Sequence, residues 1–205
     1  LISKNVKAIV IACGTATSQA LEEVRKNYNI PIFGIIDSTV EYIKENEKLR
    51  KIGVIATTGT IRSKGWQNKI CNKIPNAIIS SKACPLLAPM AEEGWTDNEI
   101  AKLAIKEYLK DFENIDCLIL GCTHYPLFEK IIKEELDKKV EIINTGEKLS
   151  KDIKEILLKN EIQNISKQKG KYEIYLTDTE TNFVNVAKKL LNEDEIIESI
   201  KKADF

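Results

Sequence analysis

The chain has 205 residues, 43% hydrophobic and 30% charged, with 31 Lys plus Arg balancing 31 Asp plus Glu. That length allows one large or two small domains around a real core, and the charge balance argues against nucleic-acid or membrane-surface partners, which need a basic excess. Five cysteines without a Cys-x-x-Cys pair, and the single histidine His124, give neither a secreted disulfide framework nor a usual zinc site. No run approaches the roughly 18 apolar residues of a membrane span. The opening LISKNVK lacks the features of a signal peptide. The compartment expected is reducing cytoplasm.

Short β-branched runs alternate with longer amphipathic stretches. Strands are predicted at 8–12, 30–36, 51–57, 76–80, 117–121, 140–144 and 172–177. Most are continuously apolar, as in parallel sheets covered by helices on both faces. One helical stripe is Leu21, Val24 and Tyr28; another is Ile100, Leu103, Ala104 and Tyr108, with Asp97 as its expected N-cap. A polar stretch from Asn164 to Lys171 reads as a loop, and lysine-rich segments such as FEKIIKEELDKK read as solvated helix faces. Strand and helix in alternation define an α/β chain.

In open parallel sheets, ligands bind beyond the carboxyl ends of the strands. The first strand runs into ACGTATSQA, with Cys13 at its end followed by Gly14, Thr15, Thr17 and Ser18. The strand at 117–121 runs into CTHYPLF, with Cys122 followed by Thr123 and His124. Each segment sets a thiol where a strand stops and small residues whose amides open a helix. Such an end favours thiolate over thiol and offers a seat for a carboxylate. An isolated cysteine there is ordinarily a small hydrophobe, but two in the same setting point to chemistry. A redox pair, a metal site and a single nucleophile each fit poorly. Acid–base work occupies both thiols: one thiolate removes a proton from carbon and the opposite thiol returns one. No pyridoxal phosphate lysine or nucleotide-binding glycine fingerprint is present.

At these residues the chain resembles the glutamate racemases, cofactor-independent members of the aspartate/glutamate racemase superfamily. ACGTATSQA at 12–20, IGVIATTGTIRSKGWQ at 52–67, CPLLAPMAEEGW at 84–95 and GCTHYPLF at 121–128 fall in the family's order. Thr-His-Tyr-Pro after the second cysteine favours glutamate over aspartate. The resemblance implies that Cys13 and Cys122 are the catalytic acid/bases, with His124 assisting Cys122 and Glu92 supporting it from APMAE. It implies substrate contacts at Gly14, Thr15, Thr123 and His124, and pocket-lining roles for Thr58 and Thr60, which alternatively cap the following helix. Cys71, Cys84 and Cys117 read as structural, and Trp66 and Trp95 as packing residues.

The expected fold is two similar α/β domains with mainly parallel central sheets and flanking helices, the active site in the cleft between them. One domain would comprise 1–32 plus 145–205, the other 33–144. The expected partners are glutamate and a second copy of the chain, with no cofactor, metal, nucleic acid or membrane; the expected role is supply of D-glutamate for peptidoglycan. A racemase of aspartate or broader specificity, and a non-catalytic racemase-like binding module, are the alternatives. The chain departs from the family in two places. Gly14 stands where the family has Asn, which removes one side-chain contact but permits closer approach. The family's Asp-Ser pair and Tyr-Gly loop, roughly 60 residues forming about two βα units, do not precede Leu1. The 205 residues alone are therefore expected to be inactive and prone to aggregate.

Overall fold

The computed structural model describes residues 1–166, 168, 170–177 and 200–203. Its architecture is α/β: among the described residues every strand pair is parallel, and helices fill the connections from β1 to β6. The chain enters through β1 (Ile9–Ile11), α1 (Gly14–Asn27) and β2 (Ile32–Gly34), and β1 pairs with β2. Helix α2 (Ile35–Glu45) then leads to the main sheet. This is built from β3 (Lys51–Ala56), β4 (Ile78–Ala83), β5 (Cys117–Leu120) and β6 (Glu141–Asn144), in the order β4-β3-β5-β6. Between these strands lie α3 (Thr58–Ser63), α4 (Gly65–Lys73), α5 (Leu87–Glu92), α6 (Glu99–Leu109) and α7 (Glu129–Glu135). Helix α8 (Thr145–Lys159) follows β6, and β7 (Ile174–Leu176) pairs with β8 (Ile200–Lys202).

The central strands explain the continuous apolar runs. Ile52, Val54 and Ile55 of β3 and Cys117 to Leu120 of β5 are completely buried, because helices cover both faces. On one face α2, α4 and α8 pack through Ile36, Val40, Trp66, Ile70 and Leu149. On the other, α5, α6 and α7 contribute Leu87, Ile105 and Ile132.

Four local expectations are corrected. The strand predicted at 76–80 lies at Ile78–Ala83. As an edge strand it keeps a solvent face, so Ser80, Ser81 and Lys82 belong to it while Ile78 is 62% exposed. The buried stripe of α6 is Ala101, Ile105 and Leu109, whereas Ile100 and Leu103 face water. Asn98, not Asp97, caps α6 by accepting the Ala101 N–H, while Asp97 pairs with Lys130. Tyr28 likewise falls just beyond α1 and is exposed. The described residues from Asn164 to Lys171 form neither helix nor strand, as expected of a loop.

Candidate active site

The two thiol segments leave different sheets and meet at the carboxyl ends of their strands. Cys13 follows β1 as the N-cap of α1, with an extended backbone whose carbonyl accepts the Thr17 N–H. Its thiol belongs to an exposed residue. Cys122 follows β5 just beyond Gly121 and is 8% exposed. Here the expected helix start is not met directly. Thr123 and His124 form a turn, and Tyr125–Phe128 a 3₁₀ turn with Pro126 near its start, before α7 begins. The buried Tyr125 hydroxyl donates to the Cys84 carbonyl at 2.8 Å and anchors this loop to the segment leading into α5.

Cys122, His124 and Glu92 form a continuous line. The Cys122 Sγ lies 3.7 Å from His124 Nδ1, and His124 Nε2 lies 3.2 Å from Glu92 Oε1. Burial pushes the Cys122 thiol above its ordinary pKa, and the charges of Cys13 and Glu92 push the same way. The backbone amides of His124 and Thr123 oppose them by favouring the thiolate. The expectation that a strand-end setting lowers this thiol's pKa is thus corrected: desolvation outweighs the amide donors. Cys84 and Cys117 are also pushed up, to about 12, by burial. Such thiols stay protonated and pack as small apolar groups.

The first thiol segment is held by hydroxyls. Thr15 Oγ1 lies 2.8 Å from Thr60 Oγ1 and 3.1 Å from Thr57 Oγ1, and the latter two are 3.0 Å apart. Thr57 is the N-cap of α3 and accepts the Thr60 N–H. One turn along, the Ser63 hydroxyl donates to Ser18 Oγ at 2.9 Å. Thr58, singled out from the sequence, lies outside this ring among the described residues, and Thr57, which was not singled out, lies in it. Thr57 ends the β3 run directly, the same signal that marked the cysteines.

The two segments touch at Gly14 and Gly121, and Gly121 in turn sits tightly against β3. A Cβ on Gly14 would stand 2.5 Å from the Gly121 carbonyl oxygen, and one on Gly121 would stand 2.9 Å from the Ile55 oxygen. Gly14 is therefore a seat against the β5 end, with Gly14 next to Cys13 and Gly121 next to Cys122. Thr123, which follows Cys122, is exposed. A separate cavity of about 640 Å³, lined by Asn46, Lys48, Phe112, Asp116 and Glu141, lies at the opposite ends of β3, β5 and β6. It is remote from this chemistry.

The model for the Asp/Glu/hydantoin racemase family matches residues 1–149, and the chain belongs to that family. Glutamate racemases are among its relatives there. It is 41% identical to that of a Sulfurihydrogenibium species over 98% of this chain and 75% of the relative. To that of Aquifex aeolicus it is 39% identical over 95% and 73%. The solved glutamate racemase from Francisella tularensis, in complex with D-glutamate, superposes with a TM-score of 0.90 at 34% identity, covering 99% of this chain and 75% of that one. No helix among the described residues is long and apolar enough to cross a membrane.

Proposed function

We propose that the full-length protein interconverts L-glutamate and D-glutamate by two-base proton transfer between Cys13 and Cys122. In one direction a thiolate takes the α-proton and becomes a thiol, leaving a planar carbanion. The thiol on the other face then gives its proton and becomes the thiolate. The pair ends with its ionisation exchanged and no cofactor consumed. The observation carrying this reading is that the thiols flank the Gly14–Gly121 contact, where charge on Cys13 raises the pKa of Cys122.

The supporting residues take roles consistent with their chemistry. The backbone N–H groups of Gly14, Thr15, Thr123 and His124 donate to the substrate carboxylate, as a chain turning out of a strand does. Glu92 orients the His124 ring, which assists Cys122. Thr60, with Thr57 beside it, lines the pocket, as does Thr58 on the family resemblance. The cleft would separate a domain of 1–32 plus 145–205 from one of 33–144. In the cell, a cytoplasmic homodimer would supply D-glutamate for peptidoglycan.

The deciding experiment is turnover of each enantiomer in deuterium oxide. A two-base mechanism places deuterium mainly in the inverted product, because the base removing the protium is not the acid returning the new hydron. Equal labelling of substrate and product from the earliest times would indicate a single base. Aspartate run alongside tests the wider-specificity alternative.

The pH profile follows from the same pair. Activity needs one thiolate and one thiol, so kcat/KM is bell-shaped with apparent pKa values belonging to the pair. Burial raises the pKa of the Cys122 thiol. The alkaline limb is accordingly expected above the ordinary thiol value of about 8.5. A decline beginning clearly below it would contradict that assignment.

A further inference from the structure

We propose that Tyr125 is a positioning residue whose phenol fixes the Cys122–His124 turn against the start of α5 and thereby sets His124 opposite Glu92. This rests on the racemase reading and adds to it a residue that acts through the His124–Glu92 contact. Two hydrogen bonds give Tyr125 a hold on both segments. Its backbone N–H donates to the Cys122 carbonyl at 3.1 Å and closes the turn that carries Thr123 and His124. Its hydroxyl donates to the Cys84 carbonyl at 2.8 Å. The ring is completely buried, so no bulk water competes for the hydroxyl and the bond holds one direction.

The other end of the brace leads to Glu92. Cys84 lies just before α5, which begins at Leu87, and its carbonyl also accepts the Leu87 N–H at 3.3 Å. Glu92 is the last residue of that helix, and the Trp95 N–H closes the far end on the Met90 carbonyl. A helix this short, about 9 Å long, moves as one piece, so a shift at Cys84 is passed on to Glu92. On the opposite side His124 directly precedes Tyr125. Tyr125 therefore links both ends of the 3.2 Å contact between His124 Nε2 and Glu92 Oε1. The Glu92 side chain is 59% exposed, and a pair so open to water contributes too little to hold the turn by itself.

The test is Tyr125→Phe in the full-length protein, with Tyr108→Phe as control. The Tyr108 hydroxyl accepts the Leu86 N–H at 3.3 Å and so ties the same segment to α6 instead of to the Cys122 turn. Folded Tyr125→Phe is expected to lose about tenfold or more in kcat, with a smaller change in KM. Tyr108→Phe should stay within about twofold of wild type. Two readouts separate positioning from general loosening. In a Glu92→Ala background Tyr125→Phe should cost less than about twofold further, because the contact through which it acts is already gone. The NMR signals of the His124 ring nitrogens, which report where the proton sits, should move toward those of Glu92→Ala. Wild-type kcat in Tyr125→Phe, an equal loss in Tyr108→Phe, or an undiminished loss in the Glu92→Ala background each overturns the proposal. If Tyr125→Phe does not fold, replacing Tyr125 by para-aminophenylalanine keeps a donor in place. Near-wild-type kcat then supports the brace, and a folded protein with about tenfold loss refutes it. If wild type turns over no glutamate, the racemase reading fails, and unmoved His124 ring signals in Tyr125→Phe still refute the brace.

Discussion

Replacing Cys13 or Cys122 by serine lowers glutamate turnover by about 10²–10⁴-fold, the usual worth of a positioned acid or base. Serine keeps the size of the group but not its acidity, so it neither removes an α-proton near neutral pH nor returns one efficiently. The losses should be alike in size but different in kind. With one thiol left, the substrate enantiomer presenting its α-hydrogen to that sulfur can still exchange it with solvent without inverting. Circular-dichroism decay of D-glutamate measures the inversion, and NMR in deuterium oxide measures the exchange. Near-normal turnover in either variant would remove the basis of the two-thiol mechanism.

Trp66→Ala should destabilise the protein by about 3–5 kcal/mol, the range for truncating a large buried aromatic. The indole is fully buried and packs in the cluster containing Ile52, Val54, Ile70 and Ile119. No neighbour is free to fill the hole, because the strands on which it rests are held on both sides. Against a typical stability of about 5–15 kcal/mol, this is enough to move the urea midpoint strongly. Trp95→Ala is the internal comparison: that ring is 47% exposed, and its loss should cost little. Equal shifts for the two variants would show that the core has been misplaced.

The strands were legible where both their faces are dry. β3 after Lys51 and all of β5 read as unbroken apolar runs because every residue there is buried. β4 was read too early because an edge strand has a wet face, and the polar Ser80–Lys82 looked like its end. β8, Ile200–Lys202, has too little apolar character to be noticed. The phase of α6 was misjudged for a related reason. Leu103 outweighs Ala101 in any hydrophobic pattern, yet small Ala101 is buried and Leu103 is 68% exposed.

The candidate residues were easier to single out than their surroundings. A cysteine at the end of a buried strand is a local feature, so Cys13 and Cys122 could be read directly. The line through His124 to Glu92 came from the family pattern, since nothing local places α5 beside the 121–128 loop. Choosing among Thr57, Thr58 and Thr60 required knowing which way α3 turns, and that depends on its packing against α1. The contact of Gly14 with Gly121 joins distant parts of the chain through a backbone oxygen, which leaves no mark on either residue's type.

Cys122 hangs from β5, an interior ribbon with neighbours on either flank. Centres of sheets are the last parts to open. Heating should therefore leave Cys122 lodged in its wall until the main sheet itself gives way.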